Sequence, residues 1–374
     1  MTDLMCALII SIIFFLIFVA AEIWHKNGAD TEVTRKFVHF VGAFFAIFFP
    51  FIFSSHTSVL ILACVFAFTM IITRKTGMLQ SVHGVSRKSE GAVYYPIAVY
   101  ICFLYAQILN QPWFYVISIL ILAVSDALAA LVGKNYGANE FVVEIGTRKT
   151  VEGSVTFFLA TFLITHLILL LATSTGRAES VLVALLISII VTVFEGVSLK
   201  GADNLFIPLA TMFILSKNIH PTLEGVTIHL FALGAFLGGY LLVMLPYRRI
   251  GFSGVTLIGL INYIIWALLG NIYAVILFVF AFLCQKTNLI LHYDCNVADA
   301  YRVKPVFYIM TVPVICAFAG NYLGEHAIYP FAVSFVVECF LIRTNYFNWN
   351  FNKGLWVTAI ISLIALGVSY VFIR

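Results

Sequence analysis

Residues that could bind and transfer phosphate are concentrated in five short stretches of an otherwise apolar chain. The stretches are Arg35-Lys36-Phe37-Val38-His39, 86–91, 125–134, 148–154 and 195–208. Together they combine cations, carboxylates and glycines, which is what phosphoryl transfer requires, because that reaction depends on charge neutralisation and positioning rather than on elaborate covalent chemistry. The sequence contains no GxxxxGK[ST] loop and no kinase-type GxGxxG loop, so the soluble phosphotransferase folds built on those loops are excluded.

Asp126 is the strongest single candidate because it lies inside an apolar segment, about 10 Å from Gly133, where that segment ends. A carboxylate at this depth costs about 2.5 kcal/mol or more unless it is paired, bound to a metal or facing a cavity. The small residues Ala123, Ala127 and Ala130 allow neighbouring helices to pack closely around it. Three interpretations stay open: helix–helix hydrogen bonding, a carboxylate on a transport path, and a magnesium ligand or catalytic base.

Residues 148–154 open a predicted helix. Thr150 has the type and position of an N-cap residue, and Glu152 falls in the first turn. Two cations beside a helix N-terminus, with Gly153 permitting a close approach, would make a phosphate site. The alternative is a basic pair at the membrane surface followed by an ordinary helix cap.

Asp203 and Asn204 precede a short apolar segment and offer two hard oxygen donors. Mg²⁺ prefers one or two carboxylates together with substrate phosphates, so this pair suits it, although an ordinary N-cap has the same appearance. Glu195, at the end of the preceding segment, is either a metal ligand or a paired acid. His39, after the Arg35-Lys36 pair, is either functional or a packed histidine near the interface.

The elements that must position these residues are membrane helices. Of the 374 residues, 62% are hydrophobic and 10% are charged, whereas soluble domains carry about 25% charged residues. Lipid must therefore be the solvent, and the predicted fold class is an all-α polytopic transmembrane bundle of about 14 spans, the eighth of them short and either spanning or re-entrant. The predicted spans are 5–24, 37–53, 57–73, 92–109, 113–133, 152–172, 180–195, 205–216, 226–245, 254–269, 271–285, 307–323, 327–341 and 355–373.

Alternating these spans across the bilayer places all five stretches on one side. The loops on that side hold 18 of the 21 Lys and Arg residues, all except Arg177, Lys217 and Arg374. This asymmetry is the positive-inside signature, so the stretches are predicted to be cytoplasmic. Topology explains the net charge of +4, and no nucleic-acid partner is expected. The membrane would be the plasma membrane in a prokaryote, and otherwise the endoplasmic reticulum or an organelle membrane.

The five stretches, in this order, resemble a known family, the membrane-embedded, CTP-using lipid-alcohol kinases. That family includes phytol and farnesol kinases, dolichol kinase and the CTP-dependent diacylglycerol kinase. The resemblance covers about residues 33 to 216 and rests on Arg35-Lys36-x-x-His39, residues 86–91, Ser125-Asp126 leading to Gly133-Lys134-x-Tyr136-Gly137, Lys149-Thr150-x-Glu152-Gly153-Ser154, and Asp203-Asn204-x-x-x-Pro208-Leu209-Ala210-Thr211.

Residue types and the resemblance together give the predicted roles. The predicted catalytic residues are Asp126, Lys149, Arg35, Lys36 and His39. The predicted nucleotide- or phosphate-binding residues are Arg87, Lys88, Gly133, Lys134, Arg148, Glu152, Gly153 and Ser154. The predicted ligands of a Mg²⁺ cofactor are Asp126, Asp203, Asn204 and Glu195.

Two departures from the family pattern leave the lipid alcohol open. Some relatives have a second acid where this chain has Ala130, and some phytol-type relatives have glycine where this chain has Ser125. The domain prediction is a kinase-like module over residues 1–247 and a second transmembrane module over 248–374. Parts of the second module, such as 299–303, faintly resemble the phytyl-phosphate kinase family, but this module is predicted to be degenerate or structural.

The preferred prediction is a CTP-dependent kinase that phosphorylates an isoprenoid alcohol of the phytol, farnesol or polyprenol type, with Asp126 as the proton acceptor. The expected partners are CTP, the lipid alcohol and the bilayer; the pattern carries no signal of an oligomeric state. The rivals are a phosphatidate cytidylyltransferase, whose long C-terminal signature is absent from the sequence, a CTP-dependent diacylglycerol kinase, and a transporter. A transporter would place charges at the midplane rather than at one interface.

Overall fold

A computed structural model describes residues 2–84, 91–144, 147–198, 201–244, 252–271, 273–275 and 278. Several predictions fall outside these residues. They are Arg87 and Lys88, the predicted spans 307–323, 327–341 and 355–373, most of the predicted span 271–285, and the motif at 299–303.

The described part of the chain is almost entirely helical, which confirms the all-α fold class. The α-helices are α1 Asp3–Lys26, α2 Thr31–Ala46, α3 Phe49–Ile52, α4 His56–Lys75, α5 Gln80–His83, α6 Gly91–Leu109, α7 Pro112–Leu120, α8 Asp126–Tyr136, α9 Val151–Ala172, α10 Arg177–Val197, α11 Asp203–Lys217, α12 Leu223–Met244 and α13 Phe252–Leu269. A π-helix, Ile121–Ser125, joins α7 to α8. A hairpin of two strands, β1 Glu140–Glu144 and β2 Thr147–Thr150, follows α8 and was not predicted.

Nine helical segments in the described part are long and apolar enough to cross a membrane: α1, α2 with α3, α4, α6, α7 through α8, α9, α10, α12 and α13. They correspond to nine of the first ten predicted spans. The other one, predicted as short, is α11, whose 15 residues extend about 22 Å, compared with roughly 30 Å of hydrocarbon in a bilayer. The protein is a multi-pass membrane protein.

Local side-chain caps begin several of these helices. Asp30 caps α2 by accepting a hydrogen bond from the Glu32 backbone N–H at 2.7 Å. Thr150 caps α9 by accepting from the Gly153 backbone N–H at 3.2 Å, as predicted. Because a cap satisfies a backbone donor that the helix itself leaves free, these starts are encoded by residues next to them in the chain.

The chain divides into two compact units, residues 1–140 with 149–227 and residues 141–148 with 228–374. The division falls inside α12, whereas the sequence-based boundary was placed after residue 247. The first unit contains all the predicted catalytic residues and metal ligands.

In the first unit, α4 and α11 pack on α6, and α8 and α10 pack on α9. Large side chains such as Phe103 and Phe157 are fully buried, while others such as Phe15 and Phe68 are exposed, as expected for helix faces in contact with lipid. The buried Tyr115 hydroxyl donates to the Ala46 carbonyl at 2.9 Å and so joins α7 to α2.

In the second unit, α12 and α13 share a buried polar contact. Asn262 Nδ2 donates to Tyr240 Oη at 2.5 Å. His229 Nδ1 lies 3.1 Å from Tyr263 Oη. Both contacts pair polar groups within a helix pair, which is the way buried polar side chains are tolerated in lipid.

Candidate functional site

The π-helix ends immediately before Asp126, the residue that the sequence singles out. A π-helix inserts an extra residue into a helical turn, and such bulges are frequent at functional sites because they reorient the side chains that follow. Ser125, at its last position, is fully buried and its Oγ accepts a hydrogen bond from Thr161 Oγ1 at 3.1 Å. Asp126 lines a cavity in the first unit, which is one of the situations that make a membrane carboxylate tolerable.

The cavity has a volume of about 220 Å³ and lies among helices of the first unit. Its polar lining consists of Arg35, Lys36, His39, Arg74, His83, Tyr95, Asp126 and Asn204. Its large apolar lining residues include Phe14, Phe18, Phe49, Val59, Leu62, Phe66, Met70 and Val99.

The short helix α5 shows which helix ends lie together. The Ser81 carbonyl accepts a hydrogen bond from Thr34 Oγ1, near the start of α2, at 2.8 Å. His83 Nε2 lies 3.0 Å from Thr73 Oγ1, near the end of α4. The start of α2 and the end of α4 are therefore at the same end of the unit.

The cavity lining contributed by α2 and α4 is polar at one end of the unit and becomes apolar towards the middle of the two helices. In α2 the lining residues run from Arg35 to Ala46, and in α4, which passes in the opposite direction, they run from Val59 to Arg74. The cations of both helices thus lie at one end of the cavity, and the aliphatic and aromatic residues lie towards the middle of the spans. The cavity therefore has a polar end, which carries these cations, and an apolar body.

Four of the five predicted catalytic residues line the polar end of the cavity: Arg35, Lys36, His39 and Asp126. His39 interacts electrostatically with Asp126, Asp203, Arg35 and Lys36. These residues come from three different helices, so only the fold brings them together.

Lys149 joins this cluster through Glu195. Its Nζ lies 2.5 Å from Glu195 Oε1 and also donates to the Glu195 backbone carbonyl. The two side chains are only 19% and 11% exposed, and Glu195 interacts electrostatically with Asp126 and Asp203. Glu195, predicted as a metal ligand, thus has a cation as its direct partner; its role as a ligand stays a prediction.

The predicted phosphate-binding glycines have a packing role. A Cβ atom on Gly133 would lie 2.7 Å from Thr150 Oγ1, and a Cβ atom on Gly153 would lie 3.0 Å from the Ala129 carbonyl oxygen. The two glycines allow α8 and α9 to cross closely, as small residues do in membrane helix pairs. This contact explains both glycines without a ligand, and their phosphate-binding role stays a prediction.

The other predicted phosphate-binding residues lie around the α8–α9 connection. Glu152 accepts hydrogen bonds from the Asn139 backbone N–H at 3.1 Å and from Asn139 Nδ2 at 2.8 Å, so its carboxylate stabilises this connection. Ser154 is half-buried in α9, and Lys134 is exposed near the end of α8. Arg148 is exposed on β2 and belongs to the second unit.

Three residues of the polar lining were missed by sequence reasoning: Arg74, His83 and Tyr95. His83 lies outside the membrane spans, and burial, followed by the charge of Arg74, lowers the pKa of its imidazole. Tyr95 precedes Pro96, which stands inside α6. A proline inside an apolar span is the one sequence signal that could have drawn attention to this position, because it removes a helical hydrogen bond.

The donor set at the polar end fits Mg²⁺. Asp126 and Asp203 are carboxylates, and Pro208 inside α11 has no N–H to donate to the Asn204 carbonyl, which leaves another hard oxygen donor. The described residues contain no group of three or more His, Cys, Asp or Glu side chains that could hold a metal ion. Mg²⁺ does not need such a group when substrate phosphates complete its coordination.

Comparison with known proteins identifies the family of this chain. The sequence profile of the cytidylyltransferase family matches residues 1–197. The chain belongs to that family. It is also 35% identical over 188 residues to a phytol kinase of Synechocystis sp. (strain ATCC 27184 / PCC 6803 / Kazusa), a match that covers 50% of this chain and 79% of the relative. No solved structure matches. The family resemblance that the motifs indicated is confirmed, and the profile match includes Asp126, Lys149 and Glu195.

Proposed function

We propose that this cytidylyltransferase-family protein is a membrane lipid kinase that transfers the γ-phosphate of CTP to an isoprenoid alcohol of the phytol, farnesol or polyprenol type. The observation that carries the proposal is the two-part cavity. Its cationic end suits a polyphosphate, and its aromatic and aliphatic body suits a branched hydrocarbon chain. The similarity to a phytol kinase supports the same assignment.

The reaction needs an acceptor oxygen, a proton acceptor and charge neutralisation. In the proposed step the alcohol oxygen attacks the γ-phosphorus, the bond from that phosphorus to the β,γ-bridging oxygen breaks, and CDP leaves. The hydroxyl proton passes to Asp126, which lies at the polar end of the cavity. Arg35 and Lys36 neutralise the phosphate oxygens in the low-dielectric site, where such charges act strongly.

Lys149 and the proposed metal complete the polar end. The contact with Glu195 holds Lys149 in one orientation, so that its charge contributes without reorganisation. When bound, Mg²⁺ would be held by Asp203, Asn204 and one carboxylate oxygen of Asp126, with the other Asp126 oxygen left to accept the proton, and would supply charge stabilisation to the phosphates. The polar end would face the cytoplasm, in accordance with the distribution of Lys and Arg residues.

Two radiolabels distinguish this reaction from nucleotidyl transfer, which the family description makes the second candidate. Purified protein in detergent is incubated with Mg²⁺, with CTP labelled at either the γ- or the α-phosphate, and with phytol, farnesol, polyprenol, diacylglycerol or phosphatidate. A kinase moves only the γ-label into lipid and releases CDP. A phosphatidate cytidylyltransferase moves only the α-label and releases diphosphate.

The expected result is γ-label in an isoprenoid alcohol. The α-label in phosphatidate would replace the proposal by the second candidate, and γ-label in diacylglycerol alone would change the acceptor class. CTP-independent flux of a solute into proteoliposomes, with no label in any lipid, would favour the transporter interpretation of Asp126.

A further inference from the structure

Two facing aromatic rings in the cavity carry buried polar atoms without partners. The ring centroids of His39 and Tyr95 are 4.9 Å apart, and both residues line the cavity. His39 Nε2 and Tyr95 Oη are buried, and neither has a hydrogen-bond partner among the described residues. Buried polar side-chain atoms are nearly always hydrogen-bonded, so two unpartnered atoms on neighbouring residues that line one cavity point to a ligand with polar groups of its own.

Other buried tyrosines show that Tyr95 is an exception within the described part of the chain. Tyr115 Oη donates to the Ala46 carbonyl at 2.9 Å. Tyr240 Oη accepts from Asn262 Nδ2 at 2.5 Å. The fold therefore supplies partners to phenol groups that have only a structural role, whereas the buried Tyr95 hydroxyl has none among the described residues, although Tyr95 lines the cavity.

The position of Tyr95 along α6 identifies the kind of ligand group it would meet. Ala92, Tyr95, Pro96 and Val99 line the cavity at the spacing of one helix face. Tyr95 is the polar residue of this face, with Val99 one turn further towards the apolar body. It thus lies at the boundary between the cationic end and the apolar body, where an alcohol with its hydrocarbon chain in the body would place its hydroxyl group.

We propose that Tyr95 binds the hydroxyl oxygen of the lipid alcohol and that His39 Nε2, beside it, donates a hydrogen bond to an oxygen of the transferred phosphoryl group. This inference rests on the proposed function. The acceptor oxygen has one hydrogen and two lone pairs. Tyr95 Oη–H occupies one lone pair, the hydrogen points to Asp126, and the second lone pair is left to attack the γ-phosphorus, so the hydrogen and both lone pairs of the acceptor oxygen are each used once.

Tyr95→Phe tests the proposal because it removes only the phenol oxygen and keeps the ring against His39. Tyr115→Phe is the matched control, since it removes an equally buried phenol oxygen that already has a protein partner. The ligands are phytol and the same hydrocarbon without its hydroxyl group. The protein is the full chain in detergent, and the measurements are the ligand-induced shift in Tm and, with labelled CTP, kcat and KM for each substrate.

Wild-type protein should show a larger Tm shift with phytol than with the hydrocarbon. In Tyr95→Phe this difference should disappear, kcat/KM for phytol should fall about tenfold, and KM for CTP should change less than about twofold. The Tm of the unliganded variant should equal or exceed that of wild type, because an unpartnered buried oxygen has been removed. Tyr115→Phe should do the reverse, lowering the Tm and leaving both phytol measurements intact.

The binding measurement separates this inference from the kinase proposal. If no γ-label reaches phytol but Tyr95→Phe abolishes the phytol-specific shift, the hydroxyl site stands and the kinase proposal fails. If wild-type protein does not distinguish phytol from the hydrocarbon, or if Tyr95→Phe retains the phytol-specific shift and wild-type kcat/KM, Tyr95 does not bind the hydroxyl group.

Discussion

The polar side chains at the two ends of the first unit differ in whether residues of the unit satisfy their hydrogen bonds. At the end where α1 begins, Asp3 accepts hydrogen bonds from the Ser55 backbone N–H at 2.8 Å and from Ser54 Oγ at 2.9 Å. At the other end, Arg35 Nε and His39 Nε2 are buried without partners among the described residues. One end is a closed set of hydrogen bonds, and the other has unused hydrogen-bonding capacity beside a cavity.

This difference teaches how to separate structural from functional polarity in a membrane bundle. A polar group in or near lipid must be satisfied, and Asp3 is satisfied by residues of its own unit. A cluster that keeps unsatisfied donors next to a space is arranged for a ligand that satisfies them. Charge by itself does not distinguish the two ends, since both contain a carboxylate.

The largest expected effect comes from Asp126→Asn. It preserves the shape of the side chain but removes the proton acceptor and the negative charge, so phosphate transfer should fall by about 10²–10⁴-fold while the Tm changes little. The γ-label assay and thermal unfolding in detergent measure the two properties. Asp3→Asn is the matched control: it should lower the Tm and leave transfer unchanged. Full turnover by Asp126→Asn would remove Asp126 from the mechanism. It would also mean that the carboxylates at the two ends do not differ in function.

The next effect concerns the buried Lys149–Glu195 ion pair. Lys149→Met leaves the Glu195 carboxylate buried without its cation, and breaking a buried pair in this way costs about 3–5 kcal/mol in the free energy of unfolding. The double variant Lys149→Met/Glu195→Gln removes both charges and should recover much of that stability. Denaturant unfolding measures stability, and transfer should remain impaired in both variants. Recovery of transfer in the double variant would show that Lys149 has only a structural role.

A smaller effect is expected from Gly42→Ala in the apolar body of the cavity. A Cβ atom here would lie 3.0 Å from Phe14 Cε1, so the Phe14 ring must shift. The ratio of kcat/KM for phytol to that for farnesol should fall by roughly tenfold, because the longer chain fills more of the body. The control is Gly234→Ala in α12, because a Cβ atom at position 234 would have no neighbour within 4 Å. An unchanged ratio in Gly42→Ala would place the hydrocarbon chain elsewhere.

The smallest effect concerns His83. Burial and Arg74 lower the pKa of His83 in the folded protein, so the folded state favours the neutral ring. The unfolded chain binds a proton below about pH 6.5 and the folded protein resists doing so. This contribution to stability is therefore present above that pH and is lost on acidification. Between pH 7.5 and 5.5, wild type should lose slightly more Tm than His83→Gln; equal losses would mean that His83 does not titrate as described.

Much of the fold could be predicted from the sequence because lipid imposes a simple rule on composition and length. A span must be apolar over its whole length, so the ends of segments such as α9 and α10 are visible as local changes in polarity. The Thr150 cap was predictable because its partner, the Gly153 backbone N–H, lies only three residues away in the sequence. The short length of α11 could also be predicted, because its apolar segment in the sequence is short.

The sequence also determined which residue types could do chemistry, and it predicts that they lie on one side of the membrane. It identified Asp126 through the cost of a carboxylate in an apolar segment, and the order of its motifs indicated the family that the comparison then confirmed. Only the tertiary structure decided which of these residues meet. It alone showed the π-helix before Asp126, the contact between Lys149 on β2 and Glu195 on α10, and the unpartnered Tyr95 hydroxyl. No local pattern encodes such distances, because packing between helices sets them.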